Sequence, residues 1–303
     1  MNRALAEKSY EGTFFHERGG VSEFFRIHHR VRNGEVAERL VSLDGSGREF
    51  IRLGDELRFV LPDQRTVLIE RRPRNSGLLP SFPRFDGHTA SFYRLEPLKL
   101  ARVNEHDVGL VTLAPLDPHR YGFRVWIDSR SKLPLKSELY DRRGQVLERV
   151  AFAKIRVLRD IPTSAFASEV SIEGFRRIES DRGGRLHTIE KIASVWSLRT
   201  APRGFRVTQR AWQTLPGLDE PVSHLVLSDG LASVSVFIGA RLPLKYAKEI
   251  AVERQIGAST AYSTFAHGHH VVVVGEVPVQ TAKLIASELS PAKPEPPAQP
   301  PTP

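Results

Sequence analysis

From Glu11 to about Phe152 the chain alternates apolar and polar residues in short runs, with turn residues recurring roughly every ten positions. In the run Val21–Arg32, Phe25, Ile27, His29 and Val31 fall on one side while Arg26, His28 and Arg30 fall on the other. Such a strand has one dry face and one wet face. Leu57, Phe59 and Leu61 repeat the alternation, as do Tyr121, Phe123, Val125 and Ile127. Arg18-Gly19-Gly20, Asn33-Gly34, Asp44-Gly45, Gly54-Asp55 and Pro62-Asp63 supply the turns, and Asn33-Gly34 suits a two-residue hairpin. The pattern predicts an antiparallel meander whose apolar face must be covered. The cover is expected from 71–100, where Pro73, Pro80 and Pro83 forbid regular strands and Ser91-Phe92-Tyr93 and Leu95 add apolar bulk.

After Asp160-Ile161-Pro162 the periodicity fades into Ser, Glu, Arg and Gly, as in a connector. A second unit begins near Trp196, with strands expected around Gly204–Gln209, on either side of Asp229-Gly230, and at Val271–Val274. Two helices are expected there, one entered at Pro243 and one at Pro278, the latter carrying Ala282, Ile285, Ala286 and Leu289. The resulting division is 1–162, a connector 163–194, a smaller domain 195–290, and a Pro-rich tail 291–303 expected to be extended and mobile. The fold class is α+β, mainly antiparallel β.

A formal net charge of +9 favours acidic partners: phosphate-bearing lipid, nucleic acid or an acidic peptide. Nucleic acid is disfavoured, because the aromatic residues sit at expected core positions and not among the basic ones. The runs Arg71, Arg72, Arg74 and Arg176, Arg177, Arg182, Arg185 read equally well as solvated faces. No stretch approaches the roughly 18 apolar residues of a membrane span, and the first thirty residues lack the apolar core of a secretory signal. The opening residues, from Met1 to Leu5, read as the end of an amphipathic helix. With no cysteine, disulfides, thiolate metal sites and cysteine nucleophiles are excluded.

Candidate chemistry is sparse. His267, His269 and His270 cluster without a third metal ligand at a recognisable spacing. Gly45-Ser46-Gly47 lies between strands, so no helix N-terminus awaits a phosphate. Ser228-Asp229-Gly230 falls at a turn without a partnered base. The motif census points away from an enzyme, and no cofactor is expected.

Several strings carry a resemblance: Tyr10-Glu11-Gly12-Thr13-Phe14, Arg39–Gly45 followed by Arg48-Glu49, Tyr121–Asp128 with Leu133–Leu139, Ser228–Ile238, and Gly268-His269 ahead of Val272–Pro278. In this order, up to about Leu289, they resemble the MucB/RseB family of periplasmic regulators of the sigma-E envelope-stress response. The resemblance implies an N-terminal domain similar to the lipoprotein carrier LolA, a half-barrel sheet wrapped over helices, followed by a smaller α+β domain. It also implies a non-enzymatic function in the periplasm. Such a protein binds the periplasmic domain of a RseA/MucA-type anti-sigma factor, shields it from site-1 proteolysis, and is released by lipopolysaccharide or lipoprotein acyl chains.

On that basis Phe14, Phe25, Ile27, Val41, Leu43, Phe59, Leu61, Val125 and Ile127 are the expected lipid-facing residues, with plain core packing as the competing reading. Ser228, Asp229, Gly230, Leu231, Ser233, Ser235, Phe237 and His269 are the expected partner-binding residues. The strand Ser233–Phe237 reads either as an edge that accepts an extended peptide or as a central strand. Self-association is left open. A LolA-like carrier is the alternative function, although a carrier would need only the first domain.

Overall fold

The computed structural model describes residues 1–71, 78, 87–180, 196–214, 220–241 and 251–291. The helix expected after Pro243, the tail beyond Pro291, and residues 72–77 and 79–86 of the expected cover lie outside the described residues. The described end of that cover departs from the expectation, since Tyr93–Leu95 and Lys99–Val103 pair as strands with His106–Pro115.

Two compact units emerge, one of residues 1–116 and 121–185, the other of 117–120 and 186–303. The first opens with helix α1 (Asn2–Glu7) and continues as β1 (Ser9–Arg18), β2 (Val21–Arg32), β3 (Glu35–Ser42), β4 (Glu49–Leu53), β5 (Glu56–Leu61) and β6 (Thr66–Arg71). Then follow β7 (Tyr93–Leu95), β8 (Lys99–Val103), β9 (His106–Pro115), β10 (Gly122–Asp128), β11 (Pro134–Tyr140), β12 (Val146–Leu158) and β13 (Arg176–Ser180). These strands form a single sheet ordered β13-β6-β5-β4-β3-β2-β1-β12-β11-β10-β9-β7, with β8 also on β9. The long closing pair is β1 with β12, strands from opposite ends of the unit. Asn33 and Gly34, both at positive φ, close the β2–β3 hairpin where the Asn-Gly dipeptide predicts it.

Register fixes the faces. Phe14 lies opposite Phe25, Ile27 opposite Leu40, and Phe50 opposite both Leu40 and Phe59. This inner face carries a buried cluster of Tyr10, Phe14, Phe25, Ile27, Leu40, Leu133, Val150 and Phe152. Ala4 and Leu5 of α1, together with Leu78, cover it. The outer face of β3 and β4 is also covered, by residues 161–170: Ile161 and Phe166 pack on Ala37, and Arg39 pairs with Glu49 at 2.8 Å and Glu169 at 3.0 Å.

Residues read as connector therefore continue the sheet. β13 runs parallel to β6 and is the exception to an otherwise antiparallel arrangement. Its Arg-Arg-Ile-Glu-Ser sequence has no local signal, because its partner lies more than a hundred residues earlier.

The second unit is a six-stranded antiparallel sheet ordered β15-β16-β17-β20-β19-β18. Its strands are β15 (Arg206–Gln213), β16 (Val222–Ser228), β17 (Ser233–Arg241), β18 (Val252–Ile256), β19 (Ser259–Ala266) and β20 (His269–Gly275). Helix α2 (Val279–Ser287) packs on β19 and β20, and β14 (Trp196–Leu198) pairs with β21 (Leu289–Pro291). Pro278 is the N-cap residue of α2, not its first helical residue: its carbonyl accepts from the Thr281 and Ala282 amides at 2.8 and 3.3 Å. Leu289 belongs to β21 and not to the helix.

The core of this unit is mainly aliphatic. Leu227, Val234, Val236, Val271, Val273, Ile285 and Leu289 are completely buried together. The register of β17 with β16 and β20 leaves Ser235 and Phe237 on the opposite face.

Candidate functional site

On the inner face of the large sheet, seven of the nine residues assigned to lipid share one surface. Phe14 and Phe25 stack at 5.5 Å, Phe14 meets Phe152 at 5.5 Å, and Phe50 meets Phe59 edge-on at 5.3 Å. Ile27 and Val125 are buried on this face, with Phe59, Leu61 and Ile127 half-buried at its ends. Val41 and Leu43 are on the other face: Val41 pairs with outward Arg26, and the Leu43 amide bonds the carbonyl of Phe24. The segment Leu40-Val41-Ser42-Leu43 is apolar in both phases, and the pairing of Leu40 with Ile27 decides which phase faces inward.

Beside the aromatic floor lies a buried polar row that the alternation did not reveal. Tyr10 stacks on His29 at 4.6 Å, His29 Nδ1 meets Glu38 Oε1 at 2.8 Å, and Arg52 reaches Glu38 at 3.5 Å. The Leu78 amide donates to Glu38 Oε2 at 3.0 Å. Burial, with the nearby charge of Glu38, pushes the Tyr10 phenol well above its ordinary range.

In the second unit β17 is central, flanked by β16 and β20, so it offers no free backbone to an incoming peptide. The edges are β15 and β18. Ser228, Asp229, Gly230 and Leu231 form the β16–β17 turn. Asp229 Oδ1 accepts from the amides of Leu231 and Ala232 at 2.9 and 2.8 Å, and Ser228 Oγ donates to the Ala232 carbonyl at 2.8 Å. Gly230 holds φ of +97°.

Asp229 also receives Arg120 Nη1 at 2.5 Å, both side chains fully buried. Arg120 lies over the Phe205 ring at 5.3 Å and donates to the Arg203 carbonyl. A sequence separation of 109 residues hides this pair from any local reading.

Ser233, Ser235 and Phe237 line the face away from α2, where Phe237 stacks on His224 at 4.4 Å. Burial holds the His224 imidazole below its ordinary pKa.

The histidines of residues 267–270 diverge. His267 Nε2 meets the Leu289 carbonyl, His269 Nδ1 the Gly239 carbonyl, and His270 Nε2 the Ser263 hydroxyl, at 2.9, 2.9 and 2.8 Å. His269 also packs edge-on to Trp196 at 5.0 Å, on the α2 side of the sheet and so on the face opposite Ser233, Ser235 and Phe237. Among the described residues no group of three or more His, Asp or Glu could hold a metal ion. None of their helices is long and apolar enough to cross a membrane.

Comparison with known proteins matches residues 1–170 to the MucB/RseB N-terminal domain and residues 190–290 to the MucB/RseB C-terminal domain. The sigma factor AlgU regulatory protein MucB of Pseudomonas aeruginosa is 32% identical over 297 residues, covering 96% of this chain and 89% of that protein. The sigma-E factor regulatory protein RseB of Escherichia coli K12 is 27% identical, covering 95% and 88%. Among solved structures, the Pseudomonas aeruginosa MucA/MucB complex matches with a TM-score of 0.73 at 28% identity over 96% of both chains.

Proposed function

The chain belongs to the MucB/RseB family, and from that premise we propose that it is a non-enzymatic regulator acting in the periplasm, where it binds the periplasmic segment of a membrane anti-sigma factor. In this reading it shields that segment from site-1 proteolysis and keeps a sigma-E type factor inactive until lipid or lipopolysaccharide releases it. The observation that carries the reading is the likeness, along nearly the whole of both chains, to MucB solved together with MucA.

Lipid acts as a competing ligand. It shifts the complex only by its differential affinity for the free and the bound regulator, and no bond is made or broken. The inner-face residues Phe14, Phe25, Ile27, Phe59, Leu61, Val125 and Ile127 are the surface for acyl chains. The β16–β17 turn, together with Ser233, Ser235 and Phe237 on the face away from α2, is the surface for the anti-sigma segment; His269, on the α2 side with Val271 and Trp196, lies apart from it. Because β17 is central, that contact is made by side chains, and main-chain pairing is left to β15 or β18.

Calorimetry of the chain with the periplasmic segment of its cognate anti-sigma factor, with and without lipopolysaccharide, tests the proposal. Binding that lipid abolishes is expected. Lipid binding with no affinity for the segment would leave the LolA-like carrier as the better account.

A further inference from the structure

A phase slip in β12 gives the outer face of the large sheet its chemistry. Phe152 lies opposite Phe14, yet Lys154 lies opposite Thr13, because a bulge inserts one extra residue between them. Beyond the bulge, Ile155 and Val157 turn inward, and Lys154 and Arg156 turn outward beside Thr13 and Glu11. The same two residues of β1 are flanked on β2 by Arg26 and His28. Three strands thus present two rows, His28-Glu11-Arg156 and Arg26-Thr13-Lys154, around a trough of about 170 Å³.

Three permanent cations meet one carboxylate in this trough. Glu11 is engaged already, accepting from Arg156 Nε at 3.1 Å and lying 3.8 Å from His28 Nε2. Arg26 and Lys154, on either side of the Thr13 hydroxyl, have no hydrogen bond or ion pair to a described residue. Glu169 also feels the charges of Arg26 and His28 but is held by Arg39 at 3.0 Å. Like charges crowded together beside carboxylates already engaged are unfavourable in the empty protein, and a dianion removes that cost. Further along the same face come Phe15 and Phe24, with ring centroids 6.0 Å apart, and Leu43. Phe24 and Leu43 remain 49% and 40% exposed.

We propose that this trough is a binding site for a phosphate monoester, held by Arg26, Lys154 and Arg156 with the Thr13 hydroxyl and the His28 imidazole completing the cradle. The site is separate from the inner face and does not depend on the lipid reading made there. The apolar patch of Phe24 and Leu43 gives a phosphorylated lipid headgroup somewhere to rest its first methylenes, while a soluble phosphate ester would use the trough alone.

Two titrations of the whole chain separate the sources. One uses glucose 1-phosphate against glucose in the calorimeter, and the other uses flotation with phosphatidylcholine vesicles with and without phosphatidic acid. The variant Arg26→Gln/Lys154→Gln changes exposed side chains only, and Arg142→Gln/Arg143→Gln removes the same charge from an exposed turn as its control. The expected result is a loss of roughly tenfold or more in affinity for the trough variant, with the control unchanged. Vesicle binding that requires phosphatidic acid and weakens in Phe24→Ser identifies a headgroup. Binding of glucose 1-phosphate alone identifies a soluble ester. Equal losses in trough and control variants, or no binding of either phosphate probe, would overturn the site.

Discussion

The two units bury their cores differently. The large sheet places His29, Glu38, Arg39, Glu49, Arg52 and Glu70 at 5% exposure or less, on both of its faces, among aromatic rings. The core of the small sheet is mainly valine, leucine and isoleucine with Trp196 and Phe205, and among the described residues its buried charge lies at the Asp229 turn and Arg120. A core containing ion pairs has strict geometric requirements, since each charge depends on its partners. A core of interlocked aliphatics is held by volume alone and tolerates small changes one at a time. The first unit therefore concentrates its vulnerability in polar positions, and the second in a single turn.

The largest effect is expected at that turn. Asp229→Ala removes the carboxylate paired with Nη1 of a fully buried guanidinium, whose Nε keeps Asp117 at 3.0 Å, together with the acceptor of two amides, and should cost about 3–5 kcal/mol. Asp229→Asn keeps the acceptor for the Leu231 and Ala232 amides but not the charge, and should lose visibly less. Urea unfolding of both variants measures the difference; equal midpoints for Asp229→Ala and the wild type would show that Arg120 is satisfied without Asp229.

Next comes the polar row of the first unit. Glu38→Gln preserves shape, yet places an amide group where His29, Arg52 and the Leu78 amide all seek an acceptor, at a cost of about 1–3 kcal/mol. An unaltered urea midpoint would mean that this row contributes no stability through its charge.

How far these differences could be read in advance depends on where the information lies. β2 was legible because Phe25, Ile27 and His29 alternate strictly with charged residues, and the alternation is itself the burial pattern. β3 was misread at Val41 and Leu43 because both phases of Leu-Val-Ser-Leu are apolar and only the cross-strand partner distinguishes them. The mixed antiparallel fold followed from turns and periodicity, whereas β13 and the Arg120–Asp229 pair rest on contacts between distant segments. The outer trough has a local trace after all: the apolar positions Val150 and Phe152 resume at Ile155 and Val157, and that lost step is the bulge. The central place of β17 had none, since a strand of alternating Ser and Val suits an edge as well as a centre.

A milder substitution probes the aliphatic core. Ile285→Val removes one methylene from a completely buried side chain of α2 and should cost about 0.5–1.5 kcal/mol. A loss well above that range, read as a shift in urea midpoint, would show that this core is as intolerant as the polar row and would erase the contrast between the units.

The smallest expected effect is a slope, not an offset. His224 has both ring nitrogens buried without a hydrogen-bond partner among the described residues, its ring stacked 4.4 Å from Phe237, and burial lowers its pKa from the ordinary 6.5. The unfolded chain therefore takes up a proton at this position before the folded chain does, so stability is complete above about pH 6.5 and declines as the pH falls below it. His28 is shifted the same way, first by burial and then by the charges of Arg39 and Arg26 against those of Glu11 and Glu169, and it contributes to the same decline. His224→Phe keeps the stacked ring and removes the titration, leaving only the part due to His28 and the other ionisable groups. Urea midpoints at pH 7.5 and 5.0 should accordingly fall less in the variant than in the wild type. An identical fall would mean that the face of the small sheet away from α2 admits a proton to His224 without penalty, and that this face is wetter than its packing against Phe237 implies.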